Sequence, residues 1–155
     1  MIGKPITYGD YDGLEHTKTF YFSISQTEFA LLNNRLPGGF EAYIRRIQED
    51  RDEEKILDLL MMFIVEGYGI RESSDDFVKE DAQGRKLGLR FKCSEACDNL
   101  ITELLSKENN IWAFIIGMLP ASVQGKVKKG FDEAMANAET DNITTLPVAT
   151  EDPIP

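Results

Sequence analysis

Ile56-Leu57-Asp58-Leu59-Leu60-Met61-Met62-Phe63-Ile64-Val65-Glu66-Gly67-Tyr68-Gly69 is the most apolar segment of the chain. Ile56, Leu59, Leu60, Phe63, Ile64 and Tyr68 recur at i, i+3, i+4, i+7, i+8 and i+12, the repeat of one helix face. Leu57, Met61, Met62 and Val65 cover most of the remaining circumference. A helix apolar nearly all round must be buried on several sides. The stretch therefore reads as the central helix, at about 53–68, opened by the acids Asp52-Glu53-Glu54 and ended by Gly67 and Gly69. Behind it comes Tyr68-Gly69-Ile70-Arg71, then an acidic turn and Phe77-Val78-Lys79.

Upstream, Ile6 and Tyr8 alternate with polar neighbours, and Phe20, Phe22 and Ile24 alternate with Thr19, Tyr21 and Ser23. That is the period of strands with one buried face. Asp12-Gly13 is a turn dipeptide between them. Residues 4–24 read as a β-hairpin, and two strands need helices on their inner face to be stable. Ser25-Gln26-Thr27-Glu28 is a capping box that opens a helix carrying Phe29 and Leu32. After the Pro37-Gly38-Gly39 break, Phe40, Tyr43, Ile44 and Ile47 mark another.

Downstream, Leu87, Leu89 and Phe91 form a short segment whose type the pattern leaves open. Ser94 is an N-cap for a helix with Cys97, Leu100, Ile101, Leu104 and Leu105 inside. Ile111 to Met118 is a second strongly apolar helix, stopped by Pro120 and holding Trp112 as core. Residues 122–137 can form a last helix with a thin stripe, Val123, Val127, Phe131, Ala134 and Met135. Gly125 and Gly130 weaken it, so it needs something to dock on. The fold class is mainly α with an N-terminal β-hairpin, a bundle of about five to seven short helices around a buried central helix. The expected organisation is one globular domain over 1–137, with helices over 26–137, and a disordered acidic Thr- and Pro-containing tail over 138–155.

The chain has 155 residues and a net charge of −10, which argues against generic nucleic-acid binding. No signal peptide is expected, and the run Ile111 to Leu119 is well short of the ~20 residues of a membrane span. The two cysteines, Cys93 and Cys97, suit a reducing compartment and are expected to be buried free thiols. The only histidine is His16, in the hairpin. Asp75 and Asp76 lack the spacing of a calcium loop. Phosphate loops, nucleophile elbows and zinc-protease motifs are missing, so no catalytic, cofactor-binding or metal-binding residue is named. The residues alone indicate a soluble, acidic binding protein rather than an enzyme.

Thr19 to Pro120 resembles the tail assembly chaperone family of long-tailed (siphovirus-type) bacteriophages. The matching text is Phe20-Tyr21-Phe22-Ser23-Ile24-Ser25-Gln26-Thr27-Glu28, Gly38-Gly39-Phe40-Glu41-Ala42-Tyr43-Ile44, Phe63-Ile64 to Tyr68-Gly69, Asp75-Asp76-Phe77-Val78-Lys79, Phe91-Lys92-Cys93-Ser94-Glu95-Ala96, and Phe114-Ile115-Ile116-Gly117-Met118-Leu119-Pro120. Two positions depart from it: Asp76 stands where the family turn has Gly, and Cys97 where an aromatic is common. Tyr68, Gly69, Asp75, Phe77, Lys79 and Pro120 are the structural signature. The resemblance implies a non-enzymatic protein of the infected host's cytoplasm that binds and solubilises the tape measure protein. It further implies self-association and a contact with the major tail protein through a frameshift-extended form. The alternative is a structural minor tail or tail-completion protein kept in the virion. Met61, Met62, Met118, Val123, Val127 and Phe131 are the expected partner-binding residues, because methionines re-pack easily and the last helix has few core residues.

Overall fold

Strand β1 (Ile2–Gly9) pairs antiparallel with β2 (Glu15–Phe22) in the computed structural model, which describes residues 1–145. The turn is pinned by Asp10, whose carboxylate accepts from the Asp12 and Leu14 backbone N–H at 2.9 and 2.8 Å. It also meets His16 Nε2 at 2.6 Å. These bonds, His16 first, hold the Asp10 carboxyl below its usual range. Ile6 and Phe22 are buried on the inner face, as the alternation requires. The outer edge of β1 would otherwise offer free backbone to any passing strand. It is closed instead by a later helix: Asn99 Nδ2 donates to the Thr7 carbonyl at 2.9 Å, and Gly9 N–H donates to Glu95 Oε1 at 3.3 Å.

Seven helices follow among the described residues: α1 (Gln26–Arg35), α2 (Phe40–Asp50), α3 (Glu53–Gly67), α4 (Leu87–Lys92), α5 (Glu95–Leu105), α6 (Glu108–Met118) and α7 (Ala121–Thr145). The cap residues act as their chemistry predicts. Ser25 accepts from Glu28 N–H at 3.1 Å, Asp52 from Lys55 N–H at 3.1 Å and Ser94 from Cys97 N–H at 3.2 Å. After α3 the chain enters strand β3 (Tyr68–Arg71) and then β4 (Phe77–Val78). The sheet order is β1-β2-β3-β4, with Phe22 opposite Tyr68 and Ile70 opposite Val78. The fold is mainly α with a small sheet, as expected.

Leu59, Leu60, Phe63 and Ile64 of α3 are almost fully buried and lie at the centre of the core. Burial of each such side chain contributes roughly 1.5–3 kcal/mol. Phe22 is wholly buried, edge-on to Phe91 at 5.6 Å and to Phe114 at 5.1 Å, and 5.8 Å from Tyr68. Tyr68 stacks on Phe91 at 4.4 Å and 12°. Burial raises the Tyr68 phenol above its ordinary pKa.

Three expectations change. The segment around Leu87, Leu89 and Phe91 is the helix α4, not an open question of type. Gly88 sits so close to α3 that an added Cβ would lie 2.1 Å from the Val65 carbonyl oxygen. That backbone approach places Phe91 in the aromatic cluster and turns Leu89 outward. Cys93 is exposed, because it ends α4 rather than starting α5, whereas Cys97 is buried. Burial pushes the Cys97 thiol up to about 11. Helix α7 continues past residue 137 to Thr145, so the predicted tail over 138–155 begins as helix. No Gly or Pro interrupts the chain between Phe131 and Thr145, and Pro147 is the first residue that cannot continue a helix. Residues 146–155 lie outside the described residues, as do the side chains of Ala134 and Met135.

Candidate partner-binding surface

The apolar circumference of α3 divides into two parts. One face is core. On the other, Leu57, Met61 and Val65, spaced i, i+4 and i+8, are only partly covered, and Leu57 is 38% exposed. Met61 and Met62 are half-buried against the rim of the core. Full burial of the helix on all sides is therefore not reached, because α2, α4, α6 and the sheet cover only part of it. Asp58 and Glu54, exposed on the same helix, keep this stripe hydrated.

Met118 is fully buried. Its Sδ would lie 2.7 Å from a Cβ on Gly67, so the missing side chain of Gly67 makes its space. Its carbonyl accepts from Ile24 N–H at 2.8 Å. Met118 thus joins the end of the hairpin to the end of α6 and faces no solvent. The expected stripe of α7 turns inward, onto α2 and α6: Val127 is buried, while Val123 and Phe131 are half-buried against the core. The Phe131 ring lies 5.6 Å from that of Trp112.

Between α6 and α7 a groove of ≈ 540 Å³ remains open. Trp112, Ala113, Ile116 and Gly117 line it from α6, and Ala121, Gly125, Lys128 and Phe131 from α7. Its lining is mostly apolar, and its charged members are Lys128 and Asp132 of α7. Trp112 was assigned from sequence to the core alone. It is buried, yet it also forms the wall of this groove. Helical spacing places Trp112 and Ile116 on one face but does not reveal that the next helix leaves that face partly uncovered.

The signature residues form a different kind of site. Lys79 Nζ donates to the Ser23 carbonyl, to Glu28 Oε2 at 2.6 Å and to the Glu66 carbonyl at 3.1 Å. One ammonium thereby ties the end of β2, the first turn of α1 and the last turn of α3. The Glu66 carboxylate in turn takes Lys86 and, at 3.5 Å, Arg35. Gly69 pairs with Tyr21 in the sheet, Phe77 pairs with Arg71, and Asp75 accepts from Ser73 Oγ at 2.8 Å in the intervening turn. Pro120 ends α6 and starts α7, its carbonyl accepting from Val123 and Gln124 N–H at 2.9 and 3.0 Å. A cleft of ≈ 650 Å³ lies over Lys79, Glu66, Leu31 and Val65. Within it Lys79 is paired with Glu28, and Lys86 and Arg35 with Glu66. Among the described residues no group of His, Cys, Asp and Glu is placed to hold a metal ion, and no helix is long and apolar enough to cross a membrane.

Compared with known families, residues 1–154 match the one described as phage tail assembly chaperone. No curated protein and no solved structure matches the chain.

Proposed function

We propose that this chain, which belongs to the phage tail assembly chaperone family, binds the tape measure protein and keeps it in solution while the tail is built. The observation that carries this reading is the open apolar groove lined by Trp112 and Ile116 beside α7. A groove of this kind takes the apolar face of a helix, read as anchors at i, i+3, i+4 and i+7. The half-covered stripe Leu57, Met61 and Val65 on α3, with Met62 beside it, is a second contact surface. The net charge of −10 keeps a complex with an aggregation-prone partner dispersed.

The action is non-enzymatic and takes place in the cytoplasm of the infected host. Copies of the chain associate along the partner, and a frameshift-extended form supplies the contact with the major tail protein. The deciding experiment is co-expression with the tape measure protein of the same phage, followed by fractionation. The tape measure protein moves to the soluble fraction and co-purifies with this chain. Equal insolubility with and without the chain sinks the reading.

A further inference from the structure

The β1–β2 turn carries two apolar side chains that the core does not use. Tyr11 is 102% exposed and Leu14 63%, the most open of the large hydrophobic residues among those described. The turn that presents them is fixed. Asp10 N–H donates to the Leu14 carbonyl at 2.8 Å and Gly13 N–H to the Asp10 carbonyl at 3.1 Å, besides the bonds of the Asp10 carboxylate. Just below, the Thr7 and Thr17 hydroxyls are hydrogen-bonded at 2.9 Å, and Glu95 holds the Gly9 N–H. A tyrosine kept in water on an ordered turn adds nothing to the fold. Its large amphipathic ring is the kind of group that anchors an interface. Asp10, Asp12 and Glu15 flank the pair in sequence, so the tip is apolar and acidic together.

A tip of that sign needs a basic seat, and the chain as a whole carries −10. Lys126, Lys128 and Lys129 stand exposed on α7, and no ion pair engages them among the described residues. Beside them is an open hollow of ≈ 430 Å³ lined by α7 alone: Gly125, Lys128, Lys129, Asp132 and Glu133. Gly125 forms its lysine end, and a side chain built there would meet nothing within 4 Å. Tip and hollow lie apart in one molecule. Ile2, at the start of β1, packs on Gly117 just before α7 begins, and a Cβ on Gly117 would lie 3.0 Å from it. The tip stands at the other end of β1, beyond Gly9, about 24 Å along the strand.

We propose that the β1–β2 tip of one copy docks on the lysine-bearing side of α7 in the next, with Tyr11 over Gly125 and with Asp12 and Glu15 facing Lys128 and Lys129. This rests on the reading in which copies of the chain associate, and it names the two surfaces. Tip and seat are different parts of the chain, so the contact is head-to-tail. It repeats from copy to copy and builds a series longer than a dimer. Trp112 and Ile116 of the neighbouring groove take no part in it. The contact is small. One tyrosine buries about 150–250 Å², whereas a standard interface buries roughly 1,200–2,000 Å² in total. Association is therefore weak and reversible in the free protein, and copies held side by side on one partner gain from their effective concentration.

Charge exchange tests this on the full-length chain. D12K/E15K reverses the tip and K128E/K129E reverses the seat. Mass is followed by sedimentation equilibrium up to about 1 mM protein, the weak end of the affinity scale, with circular dichroism to show that each variant is folded. The parent's mass rises with concentration past that of a dimer. Each variant alone stays monomeric. An equimolar mixture regains the parent's growth, because the reversed tip fits the reversed seat and the other pairing is unchanged. A parent that stays monomeric or stops at the dimer overturns the inference. So do variants that assemble alone as the parent does, and a mixture that regains nothing. Y11S is an arm without a charge change; it weakens association about tenfold or more, and undiminished association removes the tip as the anchor. Solubility of the tape measure protein is read separately. If it still moves to the soluble fraction with a parent that never assembles, this contact falls and the chaperone reading stands. If the parent assembles as described and leaves it insoluble, the chaperone reading falls and the contact stands.

Discussion

The cluster around Tyr68 and the helix α7 both fasten a late segment to the α3 core, by opposite means. At Tyr68 every group has several partners: the ring stacks on Phe91, Phe22 packs beside both, and Lys79 spans β2, α1 and α3. Along α7 the first turn is tied by Gln124, and apolar docking rests on a stripe of Val123, Val127 and Phe131. Regions with redundant contacts open only with the whole fold, while sparsely held ones open locally. The family signature residues gather mostly in the first region, and the proposed binding surface in the second.

The largest expected effect separates them most directly. Phe22→Ala removes a wholly buried ring at the meeting point of Tyr68, Phe91 and Phe114. It should cost about 3–5 kcal/mol in urea unfolding, the usual range for a core Phe→Ala change. Phe131→Ala removes a half-buried ring whose one aromatic partner among the described residues is Trp112. It should cost less than half as much as the Phe22 change. Equal losses would mean that α7 is an integral part of the core.

Gly88→Ala comes next. The new methyl would lie 2.1 Å from the Val65 carbonyl oxygen, an obstacle made of backbone that cannot rotate away. Helix α4 must shift outward and take Phe91 with it. The expected loss is roughly 3 kcal/mol, at the upper end for overpacking. A near-neutral result would show that α4 is as loosely seated as α7.

How much of this was legible follows from the range of the forces involved. The hairpin, the Ser25, Asp52 and Ser94 caps, the central helix and the Pro120 break are local events, written in neighbouring residues. Helix α4 was not, because Leu87, Leu89 and Phe91 alternate like a strand, and what makes them helical is the approach of Gly88 to a residue of α3. The pairing of Tyr68 with Phe22 and the three bonds of Lys79 join residues far apart in the chain, which no spacing rule encodes. The expected partner residues divided on the same principle. Met118 and Val127 are equally apolar on paper as Met61 and Phe131, and only packing decides that the first two are sealed. Leu57 and the Trp112 wall are accessible because neighbouring elements stop short of them.

Lys79→Met tests the polar half of the tight region. The substitution keeps the apolar stem but leaves the Ser23 and Glu66 carbonyls and the Glu28 carboxylate without their shared donor. Lost partners of this sort cost about 1–3 kcal/mol. The Lys79 and Glu28 side chains are 20% and 31% exposed, so water replaces part of what is lost, and a value near the bottom of the range is expected. Adding Glu28→Gln should recover some of it, since the uncompensated charge is then gone. No recovery would place the loss in the two carbonyls alone.

The smallest effect has the opposite sign. Gly125→Ala adds a methyl where nothing lies within 4 Å, so no clash opposes it. Alanine in a helix interior is favoured over glycine by up to ~1 kcal/mol. The same exchange, Gly→Ala, is therefore destabilising in α4 and stabilising in α7, the difference being what surrounds each Cβ. If α7 opens ahead of the core, the gain need not appear in the global unfolding midpoint. It should appear in hydrogen exchange as slower exchange of amides over 121–133, with those of α3 unchanged. Slowing of α3 to the same degree would show that the two helices open together, and the contrast between the Tyr68 region and α7 would no longer hold.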